Sequence, residues 1–315
     1  MDLGVAQMKK QEIQFKSSNG VNNIRVVKYI PDNKPKAILQ IAHGMVEFID
    51  RYDDFAKYLC DRDILVVGND HLGHGGSVNN EADWGYFGND GNERILYDLN
   101  ILTQIIKAEY ADTPYFLLGH SMGSFYAREY LGTFDGLSGA IIMGTGMEPL
   151  MTIKSGMALC KILAIFKGWR YRSNLVNNIA FGSYNKKFEP ARTKMDWLTK
   201  DEKIVDWYLN EPRCTFVFTL DGYYNMFKCI SKLYDKKVLS NIPKDLPILF
   251  VSGKDDPVGT FGKEVEKSVE SLKAYDIKNI EMKLYENDRH EILNETDRLD
   301  VYEDIYLWIS KNLFN

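Results

Sequence analysis

Between Pro114 and Tyr130 the chain carries a stretch that leaves little choice of local structure. Tyr115-Phe116-Leu117-Leu118 is a short apolar run entered through a proline, the pattern of a buried strand, and from Ser121 onward Met122, Phe125, Tyr126, Glu129 and Tyr130 recur at helical spacing. Gly119-His120-Ser121-Met122-Gly123 therefore falls on an abrupt strand-to-helix turn. A bare G-x-S-x-G arises by chance in roughly one chain in ten of this length. The strand before and the helix after turn five letters into a geometric expectation: side chains at the two glycines would collide with neighbouring backbone, and the turn holds the Ser121 hydroxyl out of the sheet.

The remaining chain supplies a sheet for that turn to stand on. Glu12 to Lys16 and Ile24 to Tyr29 alternate apolar and polar residues around the turn signal Ser17-Ser18-Asn19-Gly20, which predicts an opening antiparallel pair. Ala37 to Ala42 reads as a third strand, followed by a helix with Tyr52, Phe55, Ala56 and Leu59 on one face and the buried run Ile64 to Val67. A helix with Ile95, Leu99, Leu102 and Ile106 in register leads to the strand before Ser121, and Ala140 to Met143 is a further strand. Alternating strands and helices predict class α/β: a mostly parallel central sheet with helices on both faces.

The alternation stops after Gly144-Thr145-Gly146 and resumes at Pro247 to Val251. Ile280, Met282 and Leu284 then alternate against Glu281 and Lys283, and a last helix carries Leu299, Tyr302, Tyr306, Ile309 and Leu313. Residues 1–146 and 241–315 are thus expected to form one core, with 147–240 an inserted helical module. Composition is that of an ordinary globular chain, 45% hydrophobic and 26% charged. With a formal charge of −5 and no Lys/Arg run, nucleic acid is not an expected partner. Residues 1–10 have an acid at position 2 and no apolar core, so a secretory signal is not expected. The longest apolar stretch, Gly156 to Phe166, is too short to span a bilayer and contains Lys161. Cys60, Cys160, Cys214 and Cys229 are scattered without a C-x-x-C pair, which fits reduced, buried residues of a cytoplasmic protein.

A serine hydroxyl needs a positioned base, and the base needs a third group to orient it. Of the five histidines, His120 abuts Ser121 on the turn, His43 follows the third strand, and His71 and His74 follow the fourth. With such a turn the chain order is serine, acid, histidine. Only His290 follows an acid that itself follows Ser121, and it lies in the polar loop after the last strand. The acid is expected in Gly253-Lys254-Asp255-Asp256-Pro257, where two adjacent carboxylates, Asp255 and Asp256, are both eligible. Donors for an oxyanion are expected from the backbone N–H of Met122 and, in the loop Ile41-Ala42-His43-Gly44-Met45, from that of Met45. The run Asp70-His71-Leu72-Gly73-His74-Gly75-Gly76-Ser77 holds two histidines three apart, but its glycines deny it a helix and no Cys or Glu completes a ligand set, so it reads as a structural loop rather than a metal site.

Taken together, His43-Gly44 with Glu47 and Arg51-Tyr52, the Asp70 to Ser77 run, Gly119 to Gly123, Gly253 to Asp256 and His290 resemble the α/β-hydrolase superfamily. Within it they are similar to the monoacylglycerol lipase and lysophospholipase family, which overlaps the serine aminopeptidase-like group. The resemblance implies the α/β-hydrolase fold with a helical cap in the position of the insertion, hydrolysis of medium to long acyl esters without a cofactor or metal, and a small-molecule ester or lipid as substrate. Its G-x-x-D pattern favours Asp256 over Asp255. Met45 departs from the small residue that usually follows His-Gly. Two other activities fit the same core: an aminopeptidase or amidase, and a catalytically silent binder of a small apolar ligand. The insertion's aromatics, among them Phe166, Trp169, Trp197, Trp207, Phe218 and Tyr223, suit an apolar tunnel or the insertion's own packing. Lys154 to Arg170, apolar with basic residues as its only charges, also suits transient contact with an anionic membrane surface.

Overall fold

The computed structural model describes residues 8–313; residues 1–7, where no signal was expected, lie outside them. The opening pair is β1 (Lys9–Lys16) and β2 (Asn23–Ile30), joined antiparallel through the Ser17 to Gly20 turn. Next come β3 (Ala37–Ala42), α1 (Asp53–Cys60), β4 (Ile64–Asn69), α2 (Gly91–Glu109), β5 (Tyr115–His120), α3 (Met122–Leu131) and β6 (Gly139–Met143). The insertion carries α4 (Leu150–Lys167), α5 (Asn174–Phe181), α6 (Glu202–Asn210) and α7 (Leu220–Lys232), then α8 (Lys236–Asn241). The chain closes with β7 (Ile248–Gly253), α9 (Lys263–Lys273), β8 (Ile280–Tyr285) and α10 (Arg298–Lys311).

The eight strands form one sheet in the order β1-β2-β4-β3-β5-β6-β7-β8, antiparallel at β1-β2 and β2-β4 and parallel from β4 onward. Every residue of β3, β4, β5, β6 and β7 is buried, as a sheet covered on both faces requires. Side chains of these strands point alternately to two cores. Ile38, Leu117 and Phe250 join the core that takes in α2, α3 and α9, while Leu39, Leu118 and Val251 join the core of α1 and α10.

Two expectations shift. β8 is an edge strand paired only to β7, and Met282 is 40% exposed, because an edge strand has a neighbour on one side alone. In α10 the buried stripe is Val301, Tyr302, Ile305, Trp308 and Ile309, whereas Leu299 is exposed. Tyr302 packs on Phe55 of α1, with ring centroids 4.9 Å apart, so the face of α10 that carries it is the one turned to the core shared with α1.

Among the described residues the only β-pairing in the insertion is an isolated bridge between Arg172 and Thr219. α4 packs on α7, and α7 on α2 and α3. The anchor of α7 is polar: Asp221 Oδ2 accepts the Phe87 and Gly88 N–H groups, both at 2.8 Å, and Asn225 Oδ1 accepts the Asn92 N–H at 3.1 Å. All ten residues of α3 are buried, including Arg128 and Glu129, since the helix lies between the sheet and α7.

Candidate active site

The turn at Ser121 is as tight as its sequence requires. Ser121 has φ 52° and ψ −119°, a conformation that L-residues avoid. A Cβ on Gly119 would sit 2.3 Å from the Gly123 carbonyl oxygen, and one on Gly123 would sit 1.9 Å from that of Ala42. Both glycines are thus demanded by close backbone approach, and α3 starts directly over the end of β3. The Ser121 N–H donates to Met143 O (3.0 Å), and the next residue, Gly144, donates to Val251 O (3.0 Å), so the turn is locked to the ends of β6 and β7.

His290 reaches the same place from the other side. Its imidazole lies against Gly144, where a Cβ would meet Cε1 at 3.1 Å and Nδ1 at 3.2 Å. His290 Nδ1 is 3.0 Å from both carboxylate oxygens of Asp256, and Asp256 is fully buried. Two acceptor oxygens facing Nδ1 favour the tautomer with its proton on Nδ1, which in the neutral imidazole leaves the lone pair on Nε2. Asp256 is itself held, Oδ1 accepting the Val258 N–H (2.8 Å) and Oδ2 the Ser252 hydroxyl (3.1 Å). Asp255 instead pairs with Lys187 of the insertion.

The turn after β3 brings Met45 beside the serine. A Cβ on Gly44 would be 3.1 Å from the Ser121 Cβ. Three bonds orient the peptide planes here. His43 Nδ1–H donates to Gly44 O (2.7 Å), which shares a plane with the Met45 N–H; the Gly44 N–H donates to Glu47 Oε1; and the His71 N–H donates to His43 Nε2 (2.9 Å), fixing the tautomer. Burial, reinforced by the neighbouring His71 and His74 rings, holds the His43 imidazole well below its usual range, so it is neutral. Among the described residues neither the Met45 nor the Met122 N–H meets a protein acceptor. The Asp70 to Ser77 run is a loop whose Asp70 carboxylate accepts the Ile49 and Gly76 N–H groups, tying it to the turn after β3.

Beneath the turn lies a buried charge cluster that the sequence motifs contained without revealing their partnership. Arg51 forks to Glu291 (Nη1 and Nη2, 2.7 Å each) and reaches Glu47 Oε2 (2.9 Å). Glu47 Oε1 also accepts from Tyr52 (3.0 Å) and faces His120 Nδ1 (3.0 Å). Burial opposes the charge of both carboxyls, yet His120 and Arg51 hold Glu47, and Arg51 holds Glu291, below the usual carboxylate range. Burial likewise pulls His120 down, but Glu47 outweighs it and lifts the imidazole above its usual value. His120 is thus committed to Glu47 rather than to Ser121.

The insertion is strapped to the histidine loop. The His290 and Glu291 N–H groups donate to Trp197 O (3.4 Å) and Leu198 O (2.7 Å), and the Trp197 ring lies 5.1 Å from the His290 ring. Fully buried Glu295 closes the strap, accepting the Arg289 N–H (2.8 Å), the Thr199 hydroxyl (2.8 Å) and the Lys200 N–H (3.0 Å). Adjacency of Glu291 to His290 was visible in the sequence; Trp197 stood out there only as one of the insertion's aromatics, with no sign of its contact with His290, and nothing marked Thr199.

The four cysteines are free and buried, and among the described residues no helix is long and apolar enough to cross a membrane. A carboxyl esterase of Bacillus coagulans, solved with glycerol, superposes with a TM-score of 0.90 at 30% identity, covering 98% of this chain and 100% of that one. The monoglyceride lipase homolog of Monkeypox virus is 26% identical over 282 residues, 89% of this chain and 91% of the relative. The monoacylglycerol lipase of Mycolicibacterium smegmatis is 24% identical over 93% of this chain and 96% of its own length. The sheet order and the helices on both faces are those of the α/β-hydrolase fold. The family model described as Hydrolase_4, serine aminopeptidase, S33 matches residues 33–297, and the chain belongs to that family.

Proposed function

We propose that this protein hydrolyses carboxylic esters of medium to long acyl chains, monoacylglycerols or lysophospholipids, through an acyl-enzyme at Ser121. The Ser121 hydroxyl attacks the ester carbonyl while its proton passes to His290 Nε2. The Met45 and Met122 N–H groups hold the oxyanion. Collapse of the tetrahedral intermediate expels the alcohol, protonated by His290, and water then repeats the sequence to release the acid. Asp256 keeps the imidazole in the required tautomer and stabilises its charged form. The observation that carries this reading is the His290–Asp256 pair against Gly144, one residue from the backbone bond that locks Ser121. The lipase and esterase names of the similar proteins support the ester class.

In this reading the insertion is a cap over the site and the substrate enters from a membrane surface. α4 buries only Ile153, Cys160 and Ala164, while Met151, Ile162, Ile165 and Phe166 are exposed beside Lys154, Lys161 and Lys167. Such a face suits an anionic interface, and co-sedimentation with liposomes should rise with anionic lipid content.

Because the family model carries an aminopeptidase name, amide hydrolysis is the second reading. A fluorophosphonate probe should label the wild type and not Ser121→Ala. Glycerol monoesters of graded chain length should be turned over far faster than aminoacyl anilides; the reverse ranking would overturn the ester assignment, and absence of labelling would overturn the mechanism.

A further inference from the structure

The turn that presents Met45 contains a conformational anomaly. Val46 has φ 56°, in the left-handed region, although it is β-branched and nearly buried. A branched side chain there crowds its own backbone, so the conformation persists only where the surroundings impose it. Upstream, the turn is held by core residues, through His43 on Gly44 O and Glu47 on the Gly44 N–H. Downstream, the Val46 carbonyl is held by the insertion: Tyr208 of α6 donates its hydroxyl to Val46 O at 3.1 Å, in a buried setting.

That bond sits in a small apolar cluster of its own, in which Phe48 from the turn packs with Leu198, Tyr208 and Cys214 from the insertion. The Arg213 guanidinium covers the Phe48 ring at 3.7 Å, and Arg51 lies 5.0 Å over the Tyr208 ring. The insertion segment that touches His290 through Trp197 therefore also grips the turn that carries a proposed oxyanion donor.

We infer that Tyr208 is a positioning residue for the oxyanion-binding turn: its hydroxyl holds Val46 in the left-handed conformation and, together with the His43 bond to Gly44 O, fixes the direction of the Met45 N–H. This rests on the proposed ester hydrolysis at Ser121. It makes the insertion part of the catalytic geometry as well as a cover over the substrate.

The test is Tyr208→Phe in the full chain, which deletes one oxygen and leaves the packing. Loss of a whole oxyanion donor costs about 100- to 1,000-fold in kcat, so a misdirected donor is expected to cost about ten-fold. KM should change by less than about two-fold, and the factor should be the same for a nitrophenyl ester and an alkyl ester of one acyl chain, because both pass through the same oxyanion. Glycine adopts positive φ freely, so in a Val46→Gly background the Tyr208→Phe loss should shrink. An unchanged kcat, a change confined to KM or to Tm, or strict additivity with Val46→Gly would overturn the assignment while leaving ester hydrolysis intact. A wild type that neither hydrolyses esters nor labels at Ser121 would overturn both.

Discussion

Replacing Arg51 by methionine probes the charge cluster beneath the Ser121 turn. The unbranched apolar stem is kept as far as the Nε position, and three charged hydrogen bonds are lost with the guanidinium, two to Glu291 and one to Glu47. Side-chain exposures at these sites are 3% for Arg51 and 4% for each acid, so water does not replace the guanidinium. Glu47 retains His120 and Tyr52, but among the described residues the Glu291 carboxylate keeps as hydrogen-bond donor only the Asn294 amide, at 3.0 Å. Stranding one buried charge in this way costs about 3–5 kcal/mol. With an unfolding entropy of about 2.1 cal/mol/K per residue, the 315-residue chain should lose about 5–8 °C in Tm. The pH dependence identifies the cause. In the wild type both carboxyls titrate below their ordinary 4.5, so their stabilisation is present above pH 4.5 and is lost as pH falls below it. Without Arg51, Glu291 titrates above its ordinary value, and protonation in the fold relieves the stranded charge. The deficit should be largest near about pH 8 and should shrink toward about pH 5. Thermal unfolding of both proteins followed by circular dichroism across that range measures it. A deficit independent of pH would mean that lost packing, not lost charge pairing, sets the cost, and would refute the reasoning.

Asp256→Asn should lower kcat on a nitrophenyl ester by about 10⁴-fold, while Asp255→Asn, which loses only a surface pair with Lys187, should stay within about two-fold. Gly123→Ala places a Cβ 1.9 Å from backbone oxygen and should destabilise the fold by more than about 3 kcal/mol, whereas Gly156→Ala meets only the edge of the Phe227 ring at 2.9 Å and should be tolerated; urea midpoints compare the two. Burial pushes the Glu129 carboxyl up to about 7, although Asn92 donates to it. Its folded pKa exceeds the unfolded one, so it removes stability as pH rises from 4.5 through about 7, and Glu129→Gln should recover about 3 kcal/mol at pH 8 and little at pH 4, read from urea unfolding.

The sequence alone settled those features whose cause is local or whose order along the chain is constrained. Gly119-x-Ser121-x-Gly123 between an apolar run and a helical pattern specifies its turn because a Cβ on Gly119 would meet the Gly123 carbonyl only four residues on, although the clash that demands Gly123 comes from Ala42 of β3. Buried strands betray themselves by composition, and His290 stood out because it alone followed an eligible acid. The choice between Asp255 and Asp256 was different. Adjacent residues leave the end of β7 in different directions, so which carboxylate faces His290 and which faces Lys187 depends on elements 34 and 68 residues away in the chain. The rotation of α10 was misread by Leu299 because hydrophobic spacing identifies a stripe only when a partner surface selects it, and that surface is α1. Arg51 and Glu291 are 240 residues apart, and Tyr208 is 162 from Val46. No periodicity or motif encodes such pairs; only the assembled sheet, with the insertion folded back on the loops that carry Val46 and His290, excludes water from them and gives each charge or hydroxyl its partner.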